Sequence, residues 1–357
     1  MWPVIAQRIV RGVGVRQGEL ILVRDDTGRF DILQELLLAI EKSGATPLVH
    51  LTPINYMERL WRTASARYLA SWDQHRQEWV QKADRIIVLS GPRPDLNSVP
   101  AASFQTWHEA EHRLTMIEEE RQLPYLMVGI PTERQARQLG MSLADLEKIV
   151  VPALQAPIDK LQDRISRILG AARNGTEMVI HSGANCELHL KLGDRPWLSD
   201  DGYIDEEDRA KGAIVSNLPA GSIYTTVLED QTEGTLWLPQ AAGAQDVVLT
   251  FVNGRVSQIT ASAGAEQLAA MFDQHEGEPR RIGHIGIGLN PELSRPIGWT
   301  VIDEHVLGYL FISFGENRYM GGQNESTLNV DFALPNATLL VNERPLVKDG
   351  QLPFQFY

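Results

Sequence analysis

"GELILVRDDTGRFDILQELLLAIEKSGATPLVHLTP", residues 18–53, holds a strand, a helix and a second strand in direct succession. Residues 18–26 form a short apolar run. Residues 30–44 carry helical apolar spacing closed by Gly44, and residues 45–53 read as the next strand. The pattern continues outward. Residues 54–83 read as helical, 84–92 as a buried strand, 103–122 as a helix and 124–132 as a strand. Strands separated by helices of this length predict βαβ units, right-handed crossovers and a parallel sheet. A helix over 142–174, with Ser142 as its N-cap, bridges to the second half of the chain.

From residue 176 the texture changes to short β-rich runs, at 176–197, 212–229, 234–239 and 245–262, punctuated by Gly, Asn and Pro. "VNGR" at 252–255 is a hairpin-turn signal, 263–277 reads as one helix, and 337–352 is again hairpin-like. The expectation is an α/β N-terminal domain over 1–175, including the bridging helix, and a mainly β (α+β) C-terminal domain over 176–357 that carries the site.

A chain of 357 residues, 43% apolar and 22% charged, has room for two cores. A net charge of −13 argues against nucleic acid or an anionic membrane as partner, since both want basic surface. Cys186 is the single cysteine, which excludes an internal disulfide and any cysteine-based zinc or iron–sulfur site; its β context marks it as a small core residue. The N-terminus lacks the h-region of a signal peptide, and no run approaches the roughly 18 apolar residues of a membrane span. A cytoplasmic protein is expected.

Most catalytic signatures are absent. "GVGVRQGE" (12–19) precedes the first strand, whereas a phosphate-binding fingerprint follows one, so it reads as a turn. There is no G-x-S-x-G elbow. "HEAEH" matches H-E-x-x-H and sets His108 and His112 at i and i+4 on one helix face. Its surroundings are highly polar and no third ligand follows at metzincin spacing, so the expected role is a solvated or cleft-lining face that contacts substrate at most.

"RRIGHIGIGLN" (280–290) alternates like a half-buried strand, and His284 interrupts it. The densest polar candidates lie near it in sequence: Asp303-Glu304-His305 in "VIDEHVLG", and Asn329 with Asp331 in "TLNVDFAL". Strand period sends Asn329 and Asp331 to one face, and the turn-rich segment 315–326 leads into them. A histidine and a carboxylate from neighbouring strands would hold a divalent cation or act as an acid–base pair.

The order of these motifs resembles the aminopeptidase T (M29) family of metallopeptidases. The stretches that carry the likeness are residues 13–47, "ELHLKLGDRPWLSDDG" (187–202), "SNLPAGSIYTT" (216–226), "FVNGRVSQITASAGAEQL" (251–268), the His284 strand, "VIDEHVLGYLFISFG" (301–315) and "STLNVDFAL" (326–334). The resemblance implies the fold and a site of two metal ions held by two glutamates, two histidines, a tyrosine and an aspartate. By that correspondence the first glutamate becomes Ser222, the second His284, and the first histidine Phe311. Tyr319 answers to the tyrosine, Asn329 stands for the second histidine, and Asp331 is kept.

Around the site the chain is more similar to the 2,5-dihydroxypyridine 5,6-dioxygenase branch of that fold, which has a "GH" strand and one ferrous iron. That resemblance implies His284 and Asp331 as two of three iron ligands, with Asn329 in the third place and His305 or Glu304 as alternative donors. The leading expectation is therefore a dioxygenase-like enzyme with Fe(II), acting on a small hydroxylated ring or similar polar molecule. Ser222, Tyr319, His108 and His112 are candidate substrate contacts. A metal-independent enzyme with no cofactor, a retained aminopeptidase and a non-catalytic binding protein are the alternatives. A homo-oligomer is expected from the architecture of the relatives.

Overall fold

The computed structural model describes residues 1–353 except Arg93, Lys211 and the side chain of Asn97. Contacts divide the chain into two compact units, Met1–Gln155 with Gly202–Ala220, and Ala156–Asp201 with Gly221–Tyr357. The chain thus crosses between units three times, where the sequence pattern predicts one boundary at 175.

The first unit opens with helix α1 (Trp2–Gly12), an element the sequence pattern does not announce. It continues through β1 (Leu20–Asp25), α2 (Phe30–Lys42) and β2 (Thr46–Leu51). The expected single helix over 54–83 is broken into α3 (Tyr56–Thr63), α4 (Ala66–Ala70) and α5 (Arg76–Lys82). Ala64 and Ser65 are extended, and the Ser65 hydroxyl accepts from the Tyr68 N–H, so a capping residue inside the polar run starts a new helix. Then come β3 (Arg85–Ser90), α6 (Ala101–Glu120), β4 (Tyr125–Gly129), α7 (Glu133–Gln138) and α8 (Leu143–Leu154). Ser142 caps α8 by accepting from the Asp145 N–H. The bridging helix ends at Leu154, because Pro157 forbids helical backbone before it and starts α9 (Ile158–Ala172) instead.

Alpha-9 belongs to the second unit, where it is followed by the strands β5 (Glu177–Ser182), β6 (Cys186–Lys191) and β7 (Trp197–Asp200). The chain then returns to the first unit for α10 (Glu206–Ala210) and β8 (Val215–Leu218). Beta-8 pairs with β4 and completes a five-stranded sheet of order β2-β1-β3-β4-β8, parallel throughout.

The remaining strands of the second unit are β9 (Ser222–Thr226), β10 (Glu233–Ala241), β11 (Ala244–Val252), β12 (Arg255–Thr260), β13 (Ile282–Gly288), β14 (Leu310–Gly315), β15 (Asn329–Leu334), β16 (Thr338–Val341) and β17 (Arg344–Val347). Helices α11 (Ala265–Asp273) and α12 (Thr300–Asp303) flank β13 in sequence. The "VNGR" turn joins β11 to β12 with Asn253 at φ 50° and Gly254 at φ 77°, the left-handed pair of a type I′ hairpin. Seven strands form one antiparallel sheet, β12-β11-β10-β6-β5-β16-β17, and five form another, β15-β14-β13-β9-β7. The two share a core in which Phe251 stacks on Phe314 at 6.2 Å between ring centroids, and Phe272 and Phe332 close around it.

Beta-13 is buried along its whole length, which corrects the half-buried reading of 280–290. Its glycines do not face solvent. A Cβ on Gly286 would sit 1.9 Å from the Phe311 ring, and one on Gly288 would sit 2.1 Å from the Val306 carbonyl oxygen. The small residues let a neighbouring ring and backbone close directly onto the strand. Cys186, expected in the core, is only half-buried on β6.

Candidate functional site

The five-stranded antiparallel sheet buries Phe314 and Phe332 on one face and gathers polar groups on the other. Register fixes which residues share that second face. His284 pairs with Thr226 and Gly286 with Tyr224, while Ser313 pairs with Asp331 and Gly315 with Asn329. With Gly286 opposite Phe311, strand period places His284, Tyr224, Thr226, Phe311, Ser313, Asn329 and Asp331 together.

His284 Nε2 lies 3.2 Å from Asp331 Oδ1, with both side chains largely buried. The imidazole is held between Tyr224 and Phe311, whose ring centroids lie 5.8 and 5.7 Å from its own. Asn329 is tied on both sides. The Ser313 hydroxyl donates to its Oδ1 at 3.2 Å, and its Nδ2 donates to the Tyr319 hydroxyl oxygen at 3.2 Å. Over half of the Tyr319 surface is open to solvent, but its phenol end lies against this cluster. Desolvation there raises the phenol pKa, opposed by the Asn329 hydrogen bond and reinforced by Asp331 and Glu304, so the hydroxyl stays protonated. Glu304 is half-buried on this same side.

The turn carrying Tyr319 is latched from below. Asn317, fully buried, donates from Nδ2 to the Gly283 carbonyl at 3.1 Å and to Glu229 Oε1 at 3.2 Å, while its Oδ1 accepts from the Asn324 N–H at 2.8 Å. Glu229 in turn accepts a two-pronged pair from Arg195 at 2.9 and 2.7 Å. The residue before His284 is therefore pinned to the turn that supplies Tyr319. Sequence reasoning missed Thr226, Tyr224, Ser313, Asn317 and Glu229. The period-two spacing of Ser222, Tyr224 and Thr226 was the available signal for the first two.

Ser222 shares this face further along β9, opposite Gly288, and the remaining candidates fall elsewhere. Ser222 and His305 are buried near Asp200: Ser222 pairs with Asp200 across the ladder, and His305 Nε2 stands 3.9 Å from Asp200 Oδ2. Burial lowers the His305 pKa against the opposing pull of Asp200 and the Gly221 backbone, so this imidazole is neutral. His108 and His112 belong to the first unit and are exposed on α6, with His108 stacked on Phe104.

Among the described residues Asp331 Oδ1 has no hydrogen-bond partner, although His284 Nε2 is 3.2 Å away. Two donors about 2.1 Å from one ion in adjacent octahedral positions stand roughly 3.0 Å apart. The pair therefore fits two neighbouring positions around one divalent cation. No group of three His, Cys, Asp or Glu side chains placed to hold a metal occurs among the described residues. The amide of Asn329 is the third polar group of the face. His284 Nδ1 and Thr226 Oγ1, on strands paired at that position, are both buried without partners.

Residues 5–344 match the family described as thermophilic metalloprotease (M29). A 2,5-dihydroxypyridine 5,6-dioxygenase of Pseudomonas putida is 24% identical over 255 residues, covering 64% of this chain and 69% of that protein. Among solved structures, wild-type AmpT from Thermus thermophilus superposes with a TM-score of 0.78 at 18% identity, covering 98% of each chain. The 2,5-dihydroxypyridine dioxygenase of Pseudomonas putida superposes with a TM-score of 0.65 at 16% identity, over 100% of this chain and 98% of the other. These likenesses establish the fold. No helix among the described residues is long and apolar enough to cross a membrane.

Proposed function

The chain belongs to the thermophilic metalloprotease family M29, and from that premise we propose that it is a dioxygenase-like enzyme, not a peptidase, acting on a small hydroxylated ring at His284 and Asp331. The observation that carries this reading is the donor set. A dinuclear peptidase site needs about six oxygen or nitrogen donors around two cations. This face offers a single imidazole, His284; beside it stand the Asp331 and half-buried Glu304 carboxylates, one amide, the phenols of Tyr224 and Tyr319 and the hydroxyls of Thr226 and Ser313, with Ser222 and Phe311 at places the peptidase likeness gives to ligands. His284 and Asp331 are also the residues expected from likeness to the dioxygenase.

His284 and Asp331 would hold a single ion. A ferrous ion there, when bound, supplies one coordination sphere in which ring oxygens and O₂ meet. The protein does the rest. Tyr224 and Phe311 wall the imidazole with apolar surface and exclude water around it. Asn329 donates to the Tyr319 oxygen, which leaves the Tyr319 proton free to donate to a ring substituent. Ser313 fixes the amide in that orientation. The Asn317 latch holds strand and turn together, so donor and imidazole keep their spacing.

The test is oxygen uptake by protein loaded anaerobically with Fe(II) and mixed with 2,5-dihydroxypyridine, set beside release of amino acids from short peptides by protein loaded with zinc or cobalt. Ring-dependent oxygen uptake is expected. Peptide hydrolysis with two ions per chain would overturn the reading. Turnover of a hydroxylated ring without any metal would assign His284 and Asp331 to acid–base work instead.

A further inference from the structure

The ladder between β9 and β13 leaves two buried polar side chains side by side at the His284 face. His284 and Thr226 stand directly opposite each other, so both project from the same side of the sheet. In the same register the Leu289 N–H donates to the Gly221 carbonyl at 2.8 Å, which makes Leu289–Gly221, Ile287–Ile223 and Ile285–Thr225 the hydrogen-bonded rungs. His284 and Thr226 therefore occupy a non-bonded rung, the kind that brings Cα atoms to about 4.5 Å and side chains closest together. Thr226 is fully buried and His284 nearly so.

His284 Nδ1 and Thr226 Oγ1 are both closed to solvent and both without a hydrogen-bond partner, so their partners must come from inside the fold. Buried polar atoms are nearly always satisfied, and one left bare is costly. The rest of the ring's surroundings are already used. Tyr224 and Phe311 present aromatic rings to it, with centroids 5.8 and 5.7 Å away. Ser313 lies across a β-bulge at Gly283 and His284, but its hydroxyl is directed to Asn329. The Thr226 hydroxyl remains, and rotation about its own Cα–Cβ bond re-aims it on this rung without moving the backbone.

Resting on the reading that His284 and Asp331 hold one ion, we propose that Thr226 is the positioning residue of His284. Its hydroxyl is the hydrogen-bond partner of Nδ1, and that contact keeps Nε2 directed to the Asp331 side, where Oδ1 lies 3.2 Å away. A hydroxyl suits this place because it both donates and accepts. It donates to Nδ1 when that nitrogen is bare, and it accepts from Nδ1–H once Nε2 gives its lone pair to a cation. The ring stays neutral throughout, since one proton leaves Nε2 as another arrives at Nδ1. A metal-bound imidazole almost always gives its second N–H to a partner of this sort, and loss of that partner costs about 10–100-fold in metal affinity.

Thr226→Val keeps the branched shape and deletes the hydroxyl, while Thr226→Ser keeps the hydroxyl and deletes the methyl. Two readouts are taken on the full chain: nitrogen NMR of the His284 ring in metal-free protein, assigned with His284→Gln, and Zn(II) titrated by calorimetry. Cooperative urea unfolding shows that each variant folds. In metal-free protein the Nδ1 resonance should move in Thr226→Val and return to the parent position in Thr226→Ser. Zinc affinity should fall about 10–100-fold in Thr226→Val and recover in Thr226→Ser, and the zinc-loaded parent should carry its ring proton on Nδ1. An Nδ1 resonance indifferent to the valine, zinc held equally well by Thr226→Val, or a zinc-loaded ring protonated on Nε2 would each overturn the assignment. If the parent binds no zinc while Nδ1 still follows the hydroxyl, the contact stands and the ion-holding reading of His284 fails. Neither readout depends on oxygen uptake.

Discussion

Two histidines, one in each unit, show how differently this chain uses the same side chain. His50 sits at the end of a parallel strand between indole rings, 5.4 Å from Trp79 and 6.3 Å from Trp72, with arginines as its charged neighbours. His284 sits within an antiparallel strand between a tyrosine and a phenylalanine, with a carboxylate 3.2 Å away. Both are flanked by aromatic rings. What separates them is the charge beside the ring: burial, with Arg76 and Arg24 nearby, lowers the His50 pKa, whereas His284 has the Asp331 carboxylate as its charged neighbour. Aromatic burial supplies the dry setting in both places, and the neighbouring charge decides what it is for.

The sharpest way to break that contrast is to delete the partner. Asp331→Ala and His284→Ala should each lower turnover at least roughly 10²-fold, as loss of a metal-holding side chain does. Their denaturant midpoints should stay near the parent's. Retained turnover in either would remove the pair from the chemistry.

A smaller effect is expected at Gly286, where an added Cβ meets the Phe311 ring beside His284. Gly286→Ala should destabilise the protein by about 1–3 kcal/mol in urea unfolding. A neutral result would mean that Phe311 moves aside readily and does not wall the imidazole.

His50 is tested by pH. Its folded pKa, about 4, lies below the ordinary 6.5, so the unfolded chain takes up its proton first. The stabilisation is complete above pH 6.5 and is lost as pH falls from there towards 4. Across that window stability should drop by about 3 kcal/mol through this group, and His50→Gln should flatten that part of the profile. Titration near 6.5 in the free protein would show the ring to be solvated.

The smallest effect belongs to the helical pair. His108 and His112 are exposed, and replacing either with Ala should change stability by less than about 0.5 kcal/mol and leave turnover alone. A loss of turnover would return that face to the substrate.

Much of the fold is legible in the sequence. The four strand–helix alternations of the first unit correspond to the parallel strands at 20–25, 46–51, 85–90 and 125–129; the three inner ones are largely buried and read as apolar runs, while the edge strand 46–51 is only partly covered. The fifth strand, Val215–Leu218, reads with the β-rich half, since nothing local tells the segment that its partner lies ninety residues upstream, on the far side of the chain's first excursion into the second unit. Both long helical expectations break at residues with a physical reason, the Ser65 cap and Pro157, that periodicity alone outweighs.

At the site, strand period places Asn329 and Asp331 on one face, and family likeness draws attention to His284. The latch through Asn317 and Glu229 is hidden, because it joins polar residues 88 positions apart that resemble ordinary turn and surface residues. A tryptophan-lined cavity in the first unit is hidden for the opposite reason: Trp61, Trp72, Trp79 and Trp107 look like the apolar stripe of amphipathic helices, and only the structure shows that they line one cavity.

The central claim is that His284 and Asp331 would together hold one ion, with Asn329 beside them. It is tested most directly by anaerobic Fe(II) titration with elemental analysis of the parent, His284→Ala, Asp331→Ala and Asn329→His proteins. One iron per parent chain, none in the two alanine variants and tighter binding in Asn329→His is the predicted outcome. No iron in the parent, or iron held equally well after Asp331→Ala, would contradict it.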